Sequence, residues 1–346
     1  MEKVHINKQI NHIYNVQDYM ILLELHKNEL PFIIPNWEII HRAMFHDLDK
    51  FDGAMADGYC KIRAYLQEHE IERLSYEDIA ASPDIFSSII MHHKNNSHHF
   101  EYHNENNVDF SSLDICEMCC DMFDKSKKHQ ENPVEYLEEN LLSRSKFIQK
   151  HKDEIANVFN LLDNLSNHNY EYSEKTLIKK QFIERQIAHL RLVHKYMILL
   201  ELHKNELPFT IPNWEIIHRA MFHDIDKFSP ELADKYCLIE EYYDNKRKGI
   251  DNSYIDKNTL YDCCKIHYET QRHHNQFHAV NNCDFSDLDI CEFCCDLKAA
   301  SDREGGDLKE YFDTKILKQD GIFEKHKNDI FINKSVNFYE KNIIFI

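Results

Sequence analysis

Apolar positions recur along most of this chain at the three- and four-residue spacing of amphipathic helices. Ile13, Val16, Tyr19, Met20 and Leu23, with His12 beside them, form the first stripe. A second runs through Trp37, Ile40, Ala43 and Met44 into His46–Asp47, with Pro35 suited to its first turn. A third leads to Ile89, Ile90 and His92, and the polar run Lys94 to His99 breaks it. Ser111 or Ser112 is placed to cap a helix through Leu113, Ile115 and Met118. Val134 to Asn164 reads as one or two further amphipathic helices. No segment sustains the strict alternation of a half-buried strand. The pattern predicts an all-α protein.

The same pattern occurs twice. Tyr19–Phe51 returns as Tyr196–Phe228, differing only at Ile33/Thr210 and Leu48/Ile225. A second block, His98–Asp121, returns as His273–Asp296. The register shifts between the blocks, so a small length change falls in the divergent stretch Cys60–His92, matched by Cys237–His267. Such a period is too long for a solenoid and marks two domains of one type. Copy one is expected over residues 1–165, a polar linker over 166–177, copy two over 178–332, and a tail with an apolar end over 333–346. About five to seven helices are expected per copy. Tandem copies often imitate a homodimer, so a pseudo-twofold pair is the expectation, and homo-oligomers remain open.

Composition narrows the function. The 346 residues carry a formal charge of −19, which argues against extended contact with a nucleic-acid backbone. No apolar run is long enough to span a bilayer, and Met1–His12 lacks a secretory apolar core. Eleven cysteines, an odd number, do not resemble a disulfide framework, so a cytoplasmic protein is expected. The compositional oddity is the 24 histidines, which cluster.

In copy one the candidate metal ligands are His12, His46, Asp47, His92, His98, His99 and Asp121. In copy two they are His189, His223, Asp224, His267, His273, His274 and Asp296. Imidazole with carboxylate suits Zn, Mn, Fe and similar ions. Adjacent His and Asp on one helix would lie ~100° apart around its axis, so both could serve a metal pair at the helix edge. Lys50, three residues after Asp47, shares its face and could hold a phosphate oxygen; Lys227 repeats it. On the helix of Asp121, Glu117 and Asp114 fall within about 40° of it. Glu117 reads as a partner orienting a histidine. Asp114 reads equally well as a helix N-terminal charge. Cys116, Cys119 and Cys120 fall on the opposite side and are expected in the core. His26/His203 and His41/His218 read as structural, and His5, His103 and His194 as surface residues.

The ordered set His…His-Asp-x-x-Lys…His…His…Asp resembles the HD superfamily of metal-dependent phosphohydrolases. More narrowly, the HDLDKF run followed by the paired-histidine segment is similar to a small uncharacterised HD-like family of bacteria and phages. The resemblance covers most of each copy. It implies that His12, His46, Asp47 and Asp121 hold one ion and that His92 with His98, His99 or both holds a second, Asp47 bridging. It implies two divalent ions per site (Mn, Fe, Zn, Co or Mg) and a small phosphorylated substrate such as a nucleotide. Asp47, Lys50, Asp224 and Lys227 would be its catalytic residues. Copy two departs at Gln276, where copy one has Glu101. Copy one departs at Asp52–Met55, where copy two has the more family-like Ser229-Pro230-Glu231. Two alternatives stand beside hydrolysis. One is a mixed-valent di-iron oxygenase, since the ligand sets overlap. The other is a non-catalytic bivalent binding or sequestering protein.

Overall fold

A computed structural model describes residues 2–71, 74–142 and 144–305. Among these the protein is all-helical, without strands. It forms two compact units, residues 1–177 with 228–233 and the described chain from 178 excluding that segment. The expected tail over 333–346 and the end of copy two lie outside the described residues.

Copy one comprises α1 (Glu2–Leu25), α2 (Glu38–Met44), α3 (Gly53–Glu68), α4 (Tyr76–Ala81), α5 (Ser87–Asn95), α6 (Phe100–Asn106), α7 (Ser112–His129), α8 (Pro133–Tyr136), α9 (Lys146–Lys150) and α10 (Lys152–Asn167). These exceed the five to seven expected because short turns such as α8 and α9 leave too few apolar repeats to read. In copy two the described helices are α11 (Glu174–Leu202), α12 (Glu215–Met221), α13 (Ala233–Lys248), α14 (Lys257–Thr270), α15 (Asn275–Asn281) and α16 (Asp287–Glu304). Where a linker was expected over 166–177, α10 runs to Asn167 and α11 begins at Glu174.

The core of copy one forms where α1 packs on α2, α7 and α10. Ile6, Ile13, Val16, Met20 and Leu23 of α1 are buried on one stripe. They meet Ile155, Val158, Phe159, Leu162 and Leu165 of α10 and the cysteine side of α7. Each such aliphatic side chain contributes about 1.5–3 kcal/mol on leaving water. Cys116, Cys119 and Cys120 are buried there. Burial pushes the Cys119 and Cys120 thiols well above their ordinary range. α7 begins with a reciprocal cap in which the Ser111 hydroxyl accepts from the Asp114 amide and the Asp114 carboxylate accepts from the Ser111 amide. That packing turns the Asp114–Glu117–Asp121 face of α7 toward α1 and α2.

One local expectation is corrected. α2 ends at Met44, and Trp37 precedes it in the left-handed region, so neither Trp37 nor His46–Asp47 is helical. Because Trp37 offers no side-chain cap, the buried Glu24 carboxylate accepts its amide hydrogen at 3.0 Å. Asp47 adopts φ 60°, and Asp224 φ 56°, before a short 3₁₀ turn. A left-handed non-glycine residue costs about 1–2 kcal/mol, least for Asp and Asn. After this reversal Asp47 is buried, with its two oxygens facing His12 and His92.

Candidate metal centre

Four elements deliver the copy-one cluster. α1 supplies His12, the turn after α2 supplies His46 and Asp47, α5 and the loop after it supply His92, His98 and His99, and α7 supplies Asp121. His12, His46, Asp47, His92, His98 and Asp121 are all buried.

Asp47 sits between two groups of ligand atoms. Its Oδ2 lies 3.4 Å from His12 Nε2 and 3.5 Å from His46 Nε2, and it accepts from Lys50. Asp121 Oδ1 joins this group at 3.1 Å from His12 Nε2. The other oxygen, Oδ1, lies 3.1 Å from His92 Nε2 and 3.5 Å from His98 Nε2. His99 Nε2 faces His92 Nε2 at 3.0 Å. Among the described residues, Asp47 Oδ1, His98 Nε2 and Asp121 Oδ1 are buried with no hydrogen-bond partner. Orphaned polar atoms of this kind cost free energy unless something satisfies them. Acceptor atoms from imidazoles and carboxylates converging on two points fit a pair of divalent cations.

Four of these histidines, His12, His46, His92 and His98, are held from behind by an acid. Glu117 Oε1 accepts from His46 Nδ1 at 2.9 Å and from His98 Nδ1 at 3.2 Å, while its other oxygen pairs with Arg42. Asp124 Oδ2 accepts from His12 Nδ1 at 2.6 Å, and Asp49 Oδ2 from His92 Nδ1 at 2.8 Å. Each bond favours a proton on Nδ1, so that the neutral ring presents the Nε2 lone pair, as ligand histidines require. Asp114 completes the N-terminal cap of α7 and pairs with Arg42 at 2.7 Å, so it acts as a terminal charge away from the ligand atoms.

The charges follow this geometry. Burial opposes ionisation of Asp47, but His46, Lys50 and His92 hold its carboxyl well below the usual range. Burial likewise opposes Glu117 and Asp121, and His98 and Lys125 respectively hold them down. Burial would lower His12, yet the carboxylates of Asp121, Asp124 and Asp47 raise it to about 9. His98 is raised to about 10 against its burial, by Glu117 and Asp47. His99 is pushed well below its ordinary value by burial and by His98, His93 and His92.

Copy two repeats the arrangement. Asp224 Oδ2 lies 3.8 Å from His189 Nε2 and 3.6 Å from His223 Nε2, and pairs with Lys227; Oδ1 lies 3.3 Å from His267 Nε2 and 3.4 Å from His273 Nε2. His274 faces His267 at 3.0 Å, and Asp296 Oδ1 is 3.0 Å from His189 Nε2. Glu292 holds His223 and His273, and Asp226 holds His267. The support of the first histidine differs. The residue matching Asp124 is Ala299, and His189 Nδ1 has no hydrogen-bond partner among the described residues. Lys125 is matched by Ala300, and the Asp296 side chain is 19% exposed where Asp121 is 5% exposed.

Several residues carry roles the sequence reading missed. Asp49/Asp226 was signalled by its repetition two positions after Asp47/Asp224. Asp124 and Lys125 gave no such signal because copy two has Ala299 and Ala300 in their place. The surface placement of His5, His103 and His194 is overturned, since all three are buried. His5 stacks on Tyr59 with ring centroids 5.9 Å apart. Burial lowers it to about 4 and lowers His194 to about 3. His103 faces the carbonyls of Ser97 at 2.6 Å and Val108 at 3.1 Å, and so braces the loop carrying His98 and His99. Such helices show no exposed face in sequence because burial here comes from polar partners as well as apolar ones. His26 packs against Tyr170 and Tyr172, in keeping with a structural role.

No helix among the described residues is long and apolar enough to cross a membrane. No curated protein matches the chain. No solved structure matches it either. A family model matches residues 1–169 and again 178–339, and the chain belongs to that family, a family of unknown function (DUF5662), as two consecutive copies of its unit.

Proposed function

We propose that the protein is a metal-dependent phosphohydrolase of the HD type, acting on a small phosphorylated metabolite of the nucleotide class. The observation that carries this reading is the division of Asp47, one oxygen to His12 and His46 and the other to His92 and His98. His12, His46, Asp121 and Asp47 would hold one divalent ion, and His92, His98, His99 and Asp47 a second; copy two would use the matching residues. Bound there, the ions supply Lewis acidity and positive charge for attack of water on a phosphoester. The chain's own residues prepare the site. Glu117, Asp124 and Asp49 fix the histidine tautomers. Lys50 and Lys227 bond Asp47 and Asp224 and bring a positive charge to the phosphate side. The lysine leans the reading toward hydrolysis over oxygen chemistry. The eleven free thiols suit a reducing compartment, and we place the protein in the cytoplasm.

The test is phosphate release from a panel of phosphomonoesters and nucleotides with Mn, Co or Mg. Turnover should fall at least about 1000-fold in the Asp47→Ala, Asp224→Ala double variant. Unchanged turnover in that variant would sink the assignment. Iron in aerobically purified protein with substrate-dependent oxygen consumption would favour the oxygenase instead. Tight ligand retention without turnover would favour the bivalent binder.

A further inference from the structure

A cavity of about 340 Å³ opens directly onto the copy-one cluster. His98, His99 and Asp121 of the cluster line it, together with Met118, Met122, Tyr136 and Lys125. The volume is at the small end of the ~300–1,000 Å³ typical of small-molecule sites. Lys125 is the only lysine or arginine lining it among the described residues. Its side chain is 54% exposed, whereas the Lys50 side chain is 11% exposed and engaged with Asp47. Lys125 therefore is the cation a ligand entering the cavity can reach, and it already marks the anion position by pairing with Asp121 Oδ2 at 2.6 Å. Lys50 is close enough for its charge to act on Lys125. Both lysines stand among carboxylates, Lys50 paired with Asp47 and Lys125 with Asp121.

We propose that this cavity binds a phosphomonoester with an apolar body. Its phosphate is held between Lys125 and the histidine cluster, and its body lies on Met118, Met122 and Tyr136. Among the described residues copy two does not repeat this lysine, because Ala300 stands in register with Lys125 and Phe293 with Met118. The described residues thus keep two clusters of one design and give the Lys125 hold to one of them. This inference rests on the phosphohydrolase reading of the centre and names the substrate class and the copy that takes it.

The experiment is calorimetric titration of the manganese-loaded full chain with phenyl phosphate. One equivalent should bind per chain. Lys125→Ala should weaken binding by about tenfold or more, the scale of one charge-assisted hydrogen bond. Lys125→Arg should restore most of the affinity, with every variant titrated at saturating manganese. Lys125 is half exposed, so neither change threatens the fold. Two equivalents of equal affinity, no binding, or affinity unaltered in Lys125→Ala would overturn the proposal. Lys125-dependent binding with no phosphate released from any phosphomonoester would uphold it and remove the hydrolase reading. Turnover whose KM ignores Lys125 would do the reverse.

Discussion

The two copies share their ligand atoms and differ in what stands behind them. In copy one His12 is backed by Asp124 and Asp121 is covered by Lys125. In copy two His189 has no such backing at Nδ1 among the described residues, and Asp296 is more open to solvent. The distances from Asp47 Oδ2 and Asp224 Oδ2 to the first histidine, 3.4 and 3.8 Å, differ in the same direction. Supporting acids raise ligand basicity and hold ring orientation, so they set affinity without touching the ion. The difference teaches that a near-identical motif does not make an equal site.

The comparison breaks most sharply at the bridging aspartates. Asp47→Ala alone should remove nearly all phosphate release, about 100-fold or more. Asp224→Ala should leave the rate nearly unchanged, because copy one alone presents Lys125 to a ligand. Steady-state rates on one phosphomonoester decide this, and equal losses would erase the division of labour. Next come the buried glutamates. Glu117→Gln should weaken metal binding to copy one about 10–100-fold, since the amide cannot accept from both His46 and His98 while pairing with Arg42. Glu292→Gln should do the same to copy two. Competition with a metal indicator measures both, and an affinity unmoved in either variant would remove the orienting role.

A smaller effect tests the asymmetry itself. Asp124→Ala should weaken copy one by about tenfold and make it resemble copy two, while Ala299→Asp should tighten copy two. A null result for both would mean that the missing acid is immaterial. The smallest effect is on pH. Without an ion, His12 and His98 are raised to about 9 and about 10, so both carry protons at neutral pH. An ion must displace those protons. Apparent affinity should therefore rise as pH increases from neutrality toward 9, with protons released in buffers of different ionisation enthalpy. Affinity flat across that window would contradict the protonation pattern.

Much of this was legible in the sequence. The helical spacing of Ile13, Val16, Met20 and Leu23 marks the face of α1 that is buried, and the periodicity of α7 separates its cysteine side from Glu117 and Asp121. What failed was local. The helical pattern of Trp37–Met44 gave no warning that Trp37 and Asp47 take left-handed backbone, because apolar spacing reports a buried face and not where hydrogen bonding stops. Asp124 and Lys125 were invisible because they act three and four residues beyond Asp121, on a stretch the second copy has not kept. His5, His103 and His194 were misplaced because a histidine's burial depends on partners distant in sequence, such as Tyr59 and the Ser97 carbonyl.

The most direct measurement is elemental analysis of the purified full chain beside the Asp47→Ala and Asp224→Ala variants. If each cluster holds a metal pair, the intact protein should carry transition metal, up to about four ions per chain. Each variant should lose the share of one copy and the double variant nearly all. Metal at background in the intact chain, or content unchanged in the double variant, would contradict the assignment of these clusters as metal centres.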